Sequence, residues 1–132
     1  MGTRFVMMGL FVENLTAMVA FYRDALGVEI DWDGEGPYAE FKHAGIGFGM
    51  YERSKLPELL GQVPGYPKGL NGSFMLSINV GSKENVDESF KRITRQGGEK
   101  VYEPRDEPWK MRSSMIADPE GNLIEIGSDM WN

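Results

Sequence analysis

The order of apolar segments along the chain occurs twice, and that repetition restricts the fold more than any other feature. "RFVMMGLFV" (4–12) is an apolar run of strand length, and "NLTAMVAFYRDALG" (14–27) follows with Leu15, Met18, Tyr22 and Leu26 at helical spacing and Gly27 as the stop. Three short strands come next, over 28–32, 38–43 and 45–51, separated by the turn segments "DGEGP" and "AG". The second half has the same order: a strand over 73–80, a helix beginning near Asn85, and strands over 99–103, 111–117 and 122–126. In that helix Asn85 and Glu88 are placed for a capping box, Val86, Phe90 and Ile93 form the apolar stripe, and Gly97 ends it. The expected fold is therefore α+β: two βαβββ modules with curled mixed sheets around a concave site and the helices outside. The modules span 4–51 and 73–127 of a single domain, 1–132, and a linker rich in Pro and Gly occupies 52–72, with one helical turn at 56–60.

A helix covers one face of a sheet, and strand alternation says which. Val6, Met8, Leu10 and Val12 share one parity, as do Leu76, Ile78 and Val80, and in the closing strands Phe48, Met50, Ile124 and Ile126 match them as core. The other face then carries Met7, Gly9 and Phe11, Met75, Ser77 and Asn79, Gly47, Gly49 and Tyr51, and Leu123, Glu125 and Gly127. Rich in glycine and mixed in polarity, that face suits a cavity. Glu125, between two isoleucines, is its most pointed residue, because an ionised group in a half-buried strand must face water, pair, or serve chemistry.

Composition removes whole classes of function. With no cysteine there is no thiolate nucleophile, thiolate metal site or disulfide, and a cytoplasmic home is expected. Lys and Arg number 14 against 20 Asp and Glu, a net charge of −6 without a basic stripe, so nucleic acid is not an expected partner. No apolar run approaches the ~18 residues of a membrane span, and the first residues lack a charged segment followed by an apolar one, so neither membrane insertion nor secretion is expected. Nucleophile elbows, phosphate loops and dinucleotide fingerprints are missing, and the sole histidine, His43, lies by the turn "HAGI". Acid–base work would fall to Glu125, Glu40 or a tyrosine.

"AMVAFYRDALGVEI" (17–30), "PWKMRSSMIADPEGN" (108–122) and the terminal "IEI" resemble the vicinal oxygen chelate superfamily, which includes glyoxalase I, extradiol dioxygenases, methylmalonyl-CoA epimerase and the bleomycin- and fosfomycin-resistance proteins. The resemblance covers nearly the whole chain and implies a concave site often completed by a second subunit, hence a homodimer. In the metalloenzymes of the superfamily the ligands come from the first and last strands of each module. Carried over by position, those places fall on Met7, Gly49 (or Gly47), Met75 and Glu125, of which only Glu125 is a competent ligand. No metal or other cofactor is expected on that reading, a divalent metal with unplaced donors being the alternative. The expected activity is small-molecule binding, of a cationic or aromatic compound, with a glyoxalase-like lyase or dioxygenase as the other possibility.

The expected ligand-binding residues are Met7, Gly9, Trp32, Tyr38, Gly47, Gly49, Tyr51, Met75, Ser77, Trp109, Met111 and Glu125. Trp109 resembles the "PWG" segment that borders the pocket in the resistance proteins, or else caps the core. Trp32 and Tyr38 flank the "DGEG" turn as an aromatic wall or a hairpin clasp, and Trp131 serves packing or a subunit contact. Arg112 could pair with Glu125 across neighbouring strands, but its core-face parity argues against this.

Overall fold

The computed structural model describes residues 2–42 and 45–129, so His43 and Trp131 lie outside the described residues. The chain divides into two compact units, one through Tyr66 and one from Pro67, a boundary inside the expected linker. Each unit contains one mixed four-stranded sheet.

In the first unit β1 (Met7–Val12) leads into α1 (Leu15–Ala20), which continues as a π-helical turn over Phe21–Ala25. The sequence pattern predicts one uninterrupted helix here. Instead the backbone widens, with Leu26 N–H donating to the Phe21 carbonyl five residues back. Strands β2 (Ile30–Asp31), β3 (Tyr38–Phe41) and β4 (Gly47–Glu52) follow, and the sheet order is β1-β4-β3-β2 with β1 and β4 parallel. The core stacks Tyr22 against Phe41 (5.3 Å between centroids) and Phe41 against Phe48 (4.4 Å), above buried Met18, Val19 and Met50. A 3-10 turn, Arg53–Lys55, then leads to the short α2 (Leu56–Leu60), the expected helical turn, closed by Gly61 at φ +72°.

The second unit repeats the plan. Strand β5 (Asn71–Gly81), helix α3 (Lys83–Arg95) and strands β6 (Glu99–Asp106), β7 (Arg112–Ala117) and β8 (Asn122–Ser128) give the sheet order β5-β8-β7-β6, with β5 and β8 parallel. Val86, Phe90 and Ile93 of α3 are buried, with Ile116, Ile124 and Ile126 buried in the sheet. The tight turn between β7 and β8 behaves as its sequence requires. Asp118 accepts from the Glu120 and Asn122 backbone N–H groups (2.9 and 3.0 Å), and Gly121 takes φ +89°.

Several expectations are corrected. The cap of α3 is Ser82, whose hydroxyl accepts from Asn85 N–H (3.2 Å), and the Asn85 side chain donates to the Val80 carbonyl instead of forming a capping box with Glu88. A serine directly before the first turn can reach that N–H itself, so the helix begins earlier than the pattern indicated. Val6 is 64% exposed, because β1 begins only at Met7. Met8, Leu76, Ile78 and Val80 are half-buried rather than core, although Leu10 and Val12 further along β1 are buried as expected.

Candidate functional site

The face of the second sheet turned away from α3 is built by register. Ser77 stands beside Glu125 on the parallel side, and Met115 is its partner on the antiparallel side. Asn79 and Ser113 flank Gly127 in the same way, and Met75 and Ala117 flank Leu123. Alternation thus delivers Glu125 to the open face, where it is half-buried and accepts a hydrogen bond from the Ser77 hydroxyl at 2.9 Å. Arg112 has the opposite parity, as expected, and is committed elsewhere. Its guanidinium grips Asp87 of α3 through two bonds (2.8 and 2.9 Å) and touches Asp106 at 3.3 Å.

Beside Glu125 lies a cavity of about 320 Å³ lined by Ser77, Asn79, Met111, Glu125, Gly127 and Asp129, with Ile78 and Ser128. None of these carries a positive charge. At its far end Asn79 donates to the Asp129 carboxylate and accepts from Gly81 N–H, which pins the bulge where β5 ends. Asp129 and Ser128 were not expected in the site, because the alternation visible in the sequence ends at Ile126 while the strand continues to Ser128.

Glycine does not leave this face as open as expected. A Cβ on Gly127 would run into the Met111 ε-methyl group, so Met111 fills the space that the glycine vacates. Met111 ends a tight loop in which Glu107 N–H donates to its carbonyl at 2.7 Å and Lys110 adopts φ +64°. The base of the loop is tied down: the Glu107 carboxylate accepts from Arg105 (2.8 Å) and Ser113 (2.9 Å), which hold it below the usual carboxylate range. Trp109, at the tip of the loop, is 53% exposed.

The corresponding face of the first unit differs. Gly9 pairs with Gly49, Tyr38 with Tyr51, and Glu40 with Gly49, which puts Tyr38 and Glu40 on one face with Met7, Gly47 and Tyr51. A Cβ on Gly49 would sit 2.5 Å from the Tyr38 hydroxyl oxygen, so the tyrosine ring lies directly on the glycine. Tyr38 approaches Met7 Sδ at 3.9 Å, and burial followed by the charge of Glu40 raises the pKa of its phenol. Trp32 is not part of this wall. Its indole N–H donates to the Gly36 carbonyl at 2.8 Å and clasps the turn, beside Asp33, which accepts from Glu35 and Gly36 N–H. Glu40 belongs to this face although sequence reasoning named it only as a possible acid; the alternation in "YAEF" would have placed it there.

By register Gly49 stands in the first sheet where Glu125 stands in the second: each lies on the last strand, beside Gly9 and Ser77 respectively. The donors at the implied ligand places are therefore one carboxylate, two thioethers and a glycine. Glyoxalase- or dioxygenase-type ions take imidazole and carboxylate ligands, and this set does not fit them. Among the described residues no group of three His, Cys, Asp or Glu could hold a metal ion.

Comparison with known proteins agrees with the architecture. A model of the Glyoxalase/Bleomycin resistance protein/Dioxygenase superfamily matches residues 4–126. YraH of Bacillus subtilis (strain 168), an uncharacterized protein, is 31% identical over 123 residues, 89% of this chain and 91% of that one. A glyoxalase-related enzyme from Fulvimarina pelagi has a similar structure, with a TM-score of 0.81 at 21% identity over 96% of this chain and 88% of its own. A protein of unknown function from Agrobacterium tumefaciens str. C58 gives 0.77 at 27% identity over 98% and 96%. Lactoylglutathione lyase from Agrobacterium tumefaciens gives 0.71 at 21% identity over the same shares. With the family model spanning almost the entire sequence, the chain belongs to the glyoxalase/bleomycin resistance protein/dioxygenase superfamily.

Proposed function

We propose that this protein binds a small cationic molecule with an apolar or aromatic body, without a metal and without turnover, in the cavity beside Glu125. The observation that carries the reading is the half-buried Glu125 carboxylate, oriented by Ser77 at 2.9 Å, in a cavity whose lining includes Asp129 and no basic side chain. Met111 supplies an adaptable apolar wall, and Trp109 stands exposed on the loop that carries it. The reading includes a homodimer, favoured by the exposure of Phe5 (87%) and Ile46 (47%).

Titration with benzylammonium tests it, followed through the backbone amides of Ser77 and Gly127. Binding is expected, with affinity falling at least about tenfold in Glu125→Gln, the size of one lost charge-assisted hydrogen bond. No response, or an equal response in the variant, refutes the reading. A lyase or dioxygenase remains the second reading, favoured by the retention of a carboxylate at position 125, a ligand place in the superfamily's metalloenzymes. Stoichiometric Zn, Ni, Mn or Fe in protein purified without chelators, lost in Glu125→Ala, would establish it instead.

A further inference from the structure

Of the residues that line the cavity beside Glu125, Gly127 alone has no side chain, and Met111 takes the space it leaves. The ε-methyl group sits where a Cβ on Gly127 would be. Gly127 shares the open face with Glu125, two residues along β8 and so roughly 7 Å away. A thioether is supple, but here its backbone is held at both peptide bonds. The Met111 carbonyl accepts from Glu107 N–H at 2.7 Å, and the next N–H, of Arg112, donates to the Ser128 hydroxyl at 2.9 Å. Glu107 is in turn bonded at 2.9 Å to Ser113, the neighbour of Gly127 on β7. Only rotation of the side chain can lift the methyl group, and doing so strips it of its contact with the Gly127 backbone.

We propose, resting on the cation-binding reading of this cavity, that Met111 is its specificity-determining residue and limits the ligand to an ammonium compound with a single ring or a slim alkyl chain. A body joined to an ammonium group at Glu125 and laid along β8 reaches the Met111 methyl group at about the length of one ring. A fused second ring must push the methyl group off Gly127 or pull the ammonium group off Glu125, and either loses a contact that the smaller ligand keeps. Shortening Met111 to alanine reverses the order. It leaves a hollow over the bare Gly127 backbone that a second ring fills and a single ring leaves void.

Benzylammonium and 1-naphthylmethylammonium, which share a charge and differ by one fused ring, make the test on the ¹⁵N-labelled full chain, followed at the Ser77 and Gly127 amides. The unsubstituted protein should bind benzylammonium at least about tenfold more tightly than the naphthyl compound. In Met111→Ala the preference should invert, with the naphthyl compound gaining at least about tenfold. Met111→Leu, which keeps the bulk without the sulfur, should retain the original order. Glu125→Gln should weaken both amines alike, because the charge contact is common to them. Naphthyl binding as tight as benzyl in the unsubstituted protein overturns the size limit, and so does a preference that survives in Met111→Ala. If both amines still weaken in Glu125→Gln, the Glu125 site stands in either case. No response to either amine in any form overturns the Glu125 reading and the size limit together.

Discussion

At the scale of single residues, the two covered glycines make the sharpest predictions. Gly127→Ala forces the Met111 methyl group aside and Gly49→Ala displaces the Tyr38 ring, so each should destabilise the fold by about 1–3 kcal/mol in urea unfolding. Because the Gly127 clash is with a side chain, Met111→Ala in the same molecule should recover part of the loss, read as a coupling energy in a double-mutant cycle. The face occupied by Glu125 was legible in the sequence, since alternation in "NLIEI" is a local property. The filling of the glycine positions was not. Met111 reaches Gly127 from a loop sixteen residues earlier, and nothing near either residue encodes that approach.

Elements were read well where the pattern is long and poorly where one side chain decides. The thirteen-residue α3 has an unmistakable stripe, yet its start is set by the Ser82 hydroxyl, which the pattern attributed to Asn85. Ser82→Ala should cost about 1 kcal/mol of stability, whereas Glu88→Ala should cost little, the reverse of a capping box. The π-turn after α1 escaped notice because its apolar spacing still satisfies a regular helix over so short a span. Helix α3 is also clamped to its sheet by Arg112, which lowers the pKa of Asp87 through their hydrogen bonds. The folded-state pKa lies below the unfolded value, so this contribution is complete above about pH 4 and is lost as pH falls through the folded value. Asp87→Asn should flatten the decline in melting temperature on acidification below about pH 4, with little change in slope at neutral pH.

At the scale of the whole molecule, the duplicated order of strands and helices made the architecture readable, because each half repeats the strand–helix–three-strand order of one sheet. No helix is long and apolar enough to cross a membrane among the described residues. On the proposed metal-free reading, stability owes nothing to an ion. The melting temperature should then be the same with and without EDTA, and millimolar Zn or Ni should not raise it, as ligand binding to the native state would.

Tyr38 lying on Gly49 also bears on how this scaffold can change. A lineage that placed a carboxylate at position 49, matching the one at 125, would collide with that ring at once. Position 38 would have to shrink first, opening a void in a strand surface for no immediate benefit. A second carboxylate on this scaffold is thus reached only through a weakened intermediate, an epistatic barrier made of one aromatic ring on one bare backbone.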